Sequence, residues 1–416
     1  MMSARPMGAI PEGFQATDGV LAVAGRPVTD WVREAKGETP LFLYDADMIR
    51  ARIARLRMAM PGGLAIHYAM KANPFAPLLK LMAGLADGID VASGGELAQA
   101  LAAEADEISF AGPGKRDREL EAALRAGATL NVESAGELDR IIGLAAARGL
   151  APQVALRVNP DFELKSSGMR MGGGAKPFGI DVDQVPALLR LIRDKKLDFR
   201  GFHIFAGSQS LDAEALIEAQ ASAVALAARL AAESGMTPPL VNLGGGFGIP
   251  YFHGDKPLDV ERIGAALAET LAARPDSLRD SRFALELGRW LVGEAGVYLT
   301  RVVDRKQSGG QIFLVCDGGL HHQLAASGNF GQVVRRNYPL ANASRFAAEA
   351  DEVANVVGCL CTPLDRLGDQ IALPFTEVDD LIAIFMAGAY GATASPSQFL
   401  GHGPATEILV SYQAVI

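Results

Sequence analysis

Cysteine is scarce in this sequence: its 416 residues include three, Cys316, Cys359 and Cys361. A small and odd number of cysteines is typical of a chain in a reducing compartment and argues against a disulfide framework. Two of them form the tripeptide Cys359-Leu360-Cys361, and no second cysteine pair completes a zinc site. We therefore expect neither structural disulfides nor a bound metal.

The sequence also lacks an excess of positive charge and long apolar runs. Its 39 Lys and Arg residues stand against 48 Asp and Glu residues, a formal net charge of −9, which argues against a nucleic-acid or anionic-membrane partner. Mean hydropathy is +0.17, yet no apolar run reaches the ~18 residues of a membrane span. The N-terminal sequence MMSARPMGAIPEGF has no apolar core of signal-peptide length. These absences predict a cytoplasmic protein.

What the sequence does contain is a regular alternation of strand-like and helix-like segments from Thr39 to about Leu287. Repeated strand–helix units predict a parallel sheet, and about eight units in ~250 residues is the size of a (β/α)8 barrel. We assign residues 39–287 to that barrel. Its predicted strands lie at 40–44, 64–69, 88–91, 107–110, 129–132, 153–158, 199–204, 240–243 and 283–286.

After Glu286 the helical periodicity disappears and short strand-like runs follow, at 292–304, 311–316, 353–357 and 380–386. This change predicts a second, mostly antiparallel β domain over residues 288–416. A short strand within 19–24 precedes the first barrel unit, so we expect the N-terminal segment 1–38 to join the β domain.

Five groups of polar or glycine residues lie at the ends of predicted barrel strands, where a barrel places its active site. Each has an ordinary explanation: a solvated lysine, a helix cap, a turn, a glycine loop or a surface ion pair. Together they supply a Schiff-base lysine, phosphate-binding loops, an arginine and a carboxylate, which fits pyridoxal 5′-phosphate. The groups are Lys71 before Asn73-Pro74, Asp90 to Glu96, Gly207-Ser208, Gly244 to Gly248, and Glu286 to Arg289.

The motifs at these positions resemble those of the fold-type III pyridoxal-phosphate decarboxylases, the diaminopimelate/ornithine/arginine decarboxylase family. They are YAMKANP (68–74), DVASGGEL (90–97), HIFAGSQ (203–209), GGGFGIPY (244–251), ELGR (286–289), CTPLD (361–365) and GAYG (388–391). The segment LHHQLAASGNFGQ (320–332) and CTPLD are most similar to the exosortase A system-associated decarboxylases, and more distantly to enzymes acting on carrier-linked amino acids. The resemblance implies an alanine racemase-like TIM barrel with a C-terminal β domain.

The resemblance also implies roles for individual residues. Lys71 matches the lysine that holds the cofactor as an internal aldimine, and Glu286 the carboxylate that faces the pyridine nitrogen. Cys361 matches a cysteine supplied by the second subunit of a homodimer, where a thiol can protonate the quinonoid intermediate that follows decarboxylation of the external aldimine. Further cofactor contacts are expected from Asp90, Phe205, Ser208, Gly245, Gly246, Arg289 and Tyr390, and substrate contacts from Arg289, Thr362 and Asp365.

Three departures from the family pattern bear on the substrate. Phe205 stands where the family has a histidine stacked on the cofactor ring; it can stack but cannot donate a hydrogen bond. Thr362 and Ala325 stand where diaminopimelate decarboxylases have a glutamate and an arginine for the distal ammonium and carboxylate. Losing both partners of a buried zwitterion would cost several kcal/mol, so the substrate is expected not to be diaminopimelate. Arg335 and Arg336 are candidates for binding an anionic tail, or a solvated basic pair.

The leading hypothesis is therefore α-decarboxylation of an amino acid or of an aminoacyl conjugate. An acyl-carrier protein is one carrier to which such an aminoacyl group is linked. Three alternatives stay open at this point. They are a diaminopimelate decarboxylase of lysine biosynthesis, an amino-acid racemase on the same fold, and a non-catalytic cofactor-binding module.

Overall fold

The chain is described by a computed structural model, which covers residues 3–164, 168–170, 172–412 and 414–416. It divides into two compact units. The barrel unit comprises Ile53–Ile249 and Pro257–Gly288; the β unit comprises Met1–Arg52, Pro250–Lys256 and Arg289–Ile416.

The barrel unit is built on eight strands, each parallel to both of its neighbours. The fourth and fifth strands in chain order pair with each other and close the circle. The predicted (β/α)8 barrel is confirmed. Its strands are Ala65–Ala69, Gly88–Val91, Ile108–Phe110, Thr129–Val132, Gln153–Asn159, Asp198–Ile204, Leu240–Asn242 and Arg282–Leu287. Short additional strands are Met169–Arg170, Ile180–Asp181 and Gly207–Ser208.

The helices of the barrel begin and end at local sequence signals. Ser93 and Ser134 accept hydrogen bonds from the amides of Glu96 and Glu137, which would otherwise lack partners at a helix N-terminus. The α-helices of the chain are Val28–Glu34, Ala46–Ala59, Ala76–Ala83, Gly94–Ala102, Asp117–Ala126, Ala135–Arg148, Val185–Asp194, Ala213–Ser234, Val260–Ala272 and Arg289–Val292. The 3-10 helices are Met70–Ala72, Asp276–Leu278, Gly293–Ala295, Ala392–Ala394 and Phe399–Gly401.

One described helix, Ala213–Ser234, is long and apolar enough to cross a membrane by length and composition. Its apolar face is buried in the barrel unit, where it packs against Val260–Ala272. Burial against a neighbouring helix accounts for its composition, as in the core helices of globular proteins.

The β unit contains a nine-stranded sheet in which most neighbours are antiparallel, as predicted. The long strand Gly296–Ser308 is its centre, because it pairs with three other strands along its length. The strands are Leu41–Asp45, Gly296–Ser308, Gln311–Cys316, Leu340–Asn342, Glu352–Val357, Arg366–Leu373, Leu381–Ile384, Thr406–Ser411 and Ala414–Val415.

The strand predicted at 40–44 belongs to this sheet and not to the barrel. The prediction that the barrel of residues 39–287 includes this strand is therefore wrong. Leu41–Asp45 lies between Gly296–Ser308 and Thr406–Ser411 and pairs with both. All five of its residues are buried. A short apolar run buried on both faces has the same sequence pattern in a barrel and in the middle of another sheet, which explains the error.

The N-terminal strand lies in the β unit, as expected, but in a small sheet of its own. Val20–Val23 pairs with Gln15–Thr17 and Arg26–Pro27. Leu21 and Val23 are buried in one hydrophobic core with residues of the large sheet, including Leu43, Val297 and Leu299. Burying an aliphatic side chain of this size contributes roughly 1.5–3 kcal/mol, which holds the small sheet on the large one.

Candidate active site

Lys71 lies directly after the first barrel strand, in the 3-10 turn Met70–Ala72. The backbone of this turn is fixed by Asn73, whose carbonyl accepts a hydrogen bond from the Tyr68 hydroxyl at 2.8 Å. Asn73 also accepts, through Oδ1, a hydrogen bond from the amide of Phe75 at 3.0 Å. The lysine is thus presented at the carboxyl end of the barrel by a rigid turn, with 44% of its side chain exposed.

Glu286, at the end of the eighth barrel strand, connects Lys71 to a histidine. Its Oε1 lies 3.5 Å from Lys71 Nζ, and its Oε2 lies 2.9 Å from His203 Nε2. Burial by itself would raise the pKa of Glu286, but the Lys71 charge and the His203 hydrogen bond outweigh it and hold that pKa well below its ordinary value. Glu286 is therefore a carboxylate fixed inside the barrel next to the lysine.

Phe205 follows the sixth strand and faces the same lysine. Lys71 Nζ lies 5.5 Å from the centroid of its ring, within the range of a cation–π contact. An aromatic ring beside the lysine is consistent with the stacking role expected for Phe205, which stays a prediction.

The glycine loop after the seventh strand leaves no space for side chains. A Cβ on Gly245 would lie 1.9 Å from the Glu286 carbonyl oxygen, and one on Gly246 would lie 2.8 Å from that of Gly207. Gly246 also has a φ of +91°, which disfavours any residue with a side chain. Half-buried Ser208 lies beside this loop, since its neighbour Ser210 is hydrogen-bonded to Gly246. These glycines let the backbone approach a bound group closely.

Two more ion pairs lie inside the barrel next to these residues. Arg157 Nη1 lies 2.9 Å from Glu133 Oε1, and both side chains are buried. Asp90 Oδ1 lies 3.3 Å from His67 Nδ1. Burial would lower the pKa of His67, but the negative charge of Asp90 raises it above its ordinary value. Asp90 was predicted to contact the cofactor; the structure pairs it with His67, and its cofactor contact stays a prediction.

In the β unit, Arg289 lies among tyrosines. Its Nη1 donates to the Tyr251 hydroxyl at 2.7 Å, and its guanidinium carbon lies 4.5 Å from the Tyr390 ring centroid. Tyr390 has a φ of +54°, a strained value of the kind found at functional sites. The structure thus brings Arg289 and Tyr390 together, while the roles predicted for them are untested.

The segment that contains CTPLD is a loop of the β unit between two strands. Cys361 is exposed, and Thr362 is half-buried. Asp365 is buried, and its two oxygens accept hydrogen bonds from the amides of Leu320 and Leu360 at 2.6 and 2.9 Å. Asp365 therefore holds two loops together, and the substrate contact expected of it stays a prediction.

The two adjacent arginines differ sharply. Arg335 pairs with Asp369 and donates to the carbonyls of Ser327 and Arg366. Arg336 is exposed and lies with its guanidinium carbon 3.7 Å from the Phe252 ring centroid. Because the donors of Arg335 are engaged within the β unit, Arg336 is the better placed of the two to meet an anionic tail.

The sequence analysis assigns no role to His203, Glu133, Arg157 or Tyr251. His203 and Arg157 each lie between two buried apolar residues of a strand, and Glu133 directly follows a mostly buried strand; a polar group in such a place faces inward. Tyr251 was present in the GGGFGIPY motif without an assigned role.

The residues of the barrel fit pyridoxal 5′-phosphate. A half-exposed lysine, a buried carboxylate and a glycine loop whose backbone admits no Cβ are the groups that this cofactor requires. The buried His203 Nδ1 and Asp90 Oδ2 have no hydrogen-bond partner among the described residues, which leaves polar atoms for a bound molecule.

Comparisons with known proteins agree with this fit. A family model described as "pyridoxal-dependent decarboxylase, pyridoxal binding domain" matches residues 46–293. The L-glutamyl-[BtrI acyl-carrier protein] decarboxylase of Niallia circulans is 37% identical over 89% of each chain. The diaminopimelate decarboxylase of Archaeoglobus fulgidus is 33% identical over 96% of this chain and 93% of its own. The diaminopimelate decarboxylase of M. jannaschii, solved with L-lysine, superposes with a TM-score of 0.86 at 27% identity, over 97% of this chain and 94% of its own.

Proposed function

Since the chain belongs to the pyridoxal-dependent decarboxylase family and is a carboxy-lyase that uses pyridoxal 5′-phosphate, we propose that it removes the α-carboxyl group of an amino acid carried as a neutral conjugate. An acyl-carrier thioester is the conjugate that the comparisons support, because one relative acts on L-glutamyl-[BtrI acyl-carrier protein].

The observation that carries this proposal is that Thr362 and Ala325 are uncharged at the positions where the resemblance expects a glutamate and an arginine. Removal of the α-carboxyl group requires a free α-amino and α-carboxyl group, so a carrier can be attached to glutamate only through its side-chain carboxyl. The far end of such a substrate is an uncharged thioester. Diaminopimelate instead has a second zwitterion, which would lie against a hydroxyl and a methyl group at a cost of several kcal/mol.

The proposed roles of the barrel residues follow from their geometry. When bound, pyridoxal phosphate supplies an electron sink for the pair of electrons released with carbon dioxide. Lys71 is the residue that would hold it through Nζ. Glu286, kept ionised by Lys71 and His203, would keep a proton on the ring nitrogen. The glycine loop and Ser208 would hold the phosphate.

The proposed role of Cys361 is to return a proton to the α-carbon from a second copy of the chain. The thiol is exposed, and large apolar side chains are exposed on neighbouring segments of the β unit. Val333 is fully exposed and Val334 is 74% exposed. Such a surface on a folded unit supports a homodimer with active sites at the interface. The composition supports a cytoplasmic location.

The experiment that tests this function measures carbon dioxide release by the purified holoenzyme. Substrates are meso-diaminopimelate, lysine, ornithine, free glutamate, and glutamate linked through its side-chain carboxyl to a carrier protein. We expect the conjugate to exceed every free amino acid in kcat/KM by at least about 100-fold, which corresponds to ~2.7 kcal/mol of transition-state binding.

Two results would contradict the proposal. Diaminopimelate turnover at ~10⁴ M⁻¹s⁻¹ or more would make the chain a diaminopimelate decarboxylase. Inversion of the α-carbon without carbon dioxide release would make it a racemase. The Lys71→Ala variant controls for contaminating activity in every assay.

A further inference from the structure

Three side chains from distant parts of the sequence meet in the β unit. The ligand atoms of His321, Cys359 and His402 all lie within 4.8 Å of one another. Cys359 Sγ lies 3.9 Å from each ring nitrogen of His402, and the ring centroids of His321 and His402 are 4.8 Å apart. None of the three has a role in the proposed decarboxylation.

His321 is the residue whose environment is least explained. Its side chain is fully buried, and neither Nδ1 nor Nε2 has a hydrogen-bond partner among the described residues. A buried polar group without a partner costs about 1–3 kcal/mol. The adjacent His322, in contrast, contacts the Tyr298 hydroxyl through Nδ1 and the Gly403 carbonyl through Nε2. A neutral imidazole has one acceptor nitrogen, so His321 has an acceptor that is unused among the described residues.

The backbone around the cluster is fixed before any ligand arrives. The Asp365 carboxylate accepts from the amides of Leu320 and Leu360, the residues next to His321 and Cys359. A Cβ at Gly319 or at Gly358 would lie 2.2 Å from an Asp365 oxygen. Glycine at both positions thus admits the carboxylate that joins the two loops, and this arrangement preorganises the side chains.

We propose that His321, Cys359 and His402 bind a divalent transition-metal ion, with zinc the ion that fits this donor set. One thiolate and two imidazole nitrogens are typical zinc ligands, and three protein ligands leave a fourth position open. Bonds of about 2.0–2.3 Å place tetrahedral ligand atoms ~3.5 Å apart, close to the 3.9 Å between Cys359 and His402. The metal enters past exposed His402.

Binding changes one bond in the cluster. In the structure the Cys359 thiol points to the Asp317 carbonyl oxygen at 3.3 Å. The metal–sulfur bond replaces the S–H bond, and the proton goes to the solvent, as is general for cysteine ligands. No electron is transferred.

The test uses the full-length holoenzyme without an affinity tag, stripped with a chelator and then loaded with zinc. We expect elemental analysis after gel filtration to find one zinc per chain. Cobalt in place of zinc should give absorption in the red part of the visible spectrum, where tetrahedral cobalt absorbs and pyridoxal phosphate does not.

Matched variants separate this cluster from its neighbours. Cys359→Ser and His402→Ala should lower zinc affinity at least about 100-fold, while Cys361→Ser and His253→Ala should retain it. His253 is exposed, like His402. The His253→Ala variant therefore controls for a loss of zinc affinity caused by removing any surface histidine. Less than a tenth of a zinc per chain in the wild-type protein, or unchanged affinity in Cys359→Ser and His402→Ala, would overturn the proposal. Because the readouts are metal content and spectrum, they do not depend on the proposed decarboxylation.

Discussion

The two units of the molecule hold their functional groups in different ways. In the barrel unit the buried acids are paired: Glu286 with Lys71 and His203, Glu133 with Arg157, and Glu137 with Lys115 at 2.6 Å. In the β unit Cys361 and Arg336 are exposed, and His321 has no hydrogen-bond partner among the described residues.

The difference indicates a division of labour. Buried ion pairs are costly to break, so the pairing with His203 holds Glu286 beside Lys71 before any substrate binds. The proposals above assign Arg336, Cys361 and His321 of the β unit instead to a substrate, a second chain and a metal ion. Departures from the family pattern occur in both units, at Phe205 in the barrel unit and at Ala325 and Thr362 in the β unit.

The largest expected effect is that of removing the lysine around which the barrel network is arranged. Lys71→Ala should lower kcat by at least about 10⁴-fold, because it removes both the cofactor attachment and a proton-transfer group. The loss of kcat is measured by carbon dioxide release. In the wild type, borohydride reduction should trap the cofactor on Lys71. Lys80→Ala, at an exposed ion pair, is the control. Trapping on another lysine would contradict the assignment.

Next in size is the loss of the buried carboxylate. Glu286→Gln should lower kcat by about 10²–10³-fold, because a neutral amide does not hold a proton on the ring nitrogen.

The same variant tests how the stability of the fold depends on pH. The folded-state pKa of Glu286 lies below its ordinary value of 4.5, so its contribution to stability is present above pH 4.5 and is lost as pH falls towards the folded-state pKa. Acid titration of the melting temperature should be shallower for Glu286→Gln than for the wild type; equal slopes would contradict the pairing.

Variants at Cys361 test whether the β unit of one chain completes the active site of a second chain. Cys361→Ala should lower kcat by about 100-fold, the size of a typical acid–base contribution. Lys71→Ala and Cys361→Ala, refolded together, should regain part of the activity, since a mixed dimer contains one intact site. If isolated mixed dimers stay inactive, each chain completes its own site.

The smallest effect distinguishes the two adjacent arginines. Arg336→Ala should raise KM for the carrier-linked substrate about tenfold, or ~1.4 kcal/mol, without changing the melting temperature. Arg335→Ala should leave KM nearly unchanged and lower the melting temperature by several degrees, because it removes the pairing with Asp369. The opposite pattern would mean that Arg335 meets the substrate.

The sequence predicts the barrel well because each strand–helix repeat has its own local signals: apolar strands, capping serines and short connections. It fails for Leu41–Asp45, since the partners of that strand lie more than 250 residues away. The same limit applies to the site. Lys71, Glu286 and the glycine loop end their strands and are recognisable there. His203 and Arg157 interrupt buried strands, and they become neighbours only when the fifth and sixth strands pair.

The cluster of His321, Cys359 and His402 shows most clearly what a sequence pattern cannot reveal. The tripeptide Cys359-Leu360-Cys361 led us to expect no metal, because no second cysteine pair follows. The histidines that complete the cluster come from loops 38 residues before and 43 residues after Cys359. Such spacing has no motif, and only the folded β unit brings these residues together.

The position of Leu41–Asp45 has a consequence for the nascent chain. This strand leaves the ribosome about 250 residues before its partner Gly296–Ser308, an interval on the order of tens of seconds at 5–20 residues per second. Its other partner, Thr406–Ser411, is made later still. Throughout that interval an apolar strand with unpaired edges is available to other chains, which is a known route to aggregation. The central sheet of the β unit therefore cannot form until Gly296–Ser308 has been made, whereas the barrel pairs strands that follow one another closely along the chain.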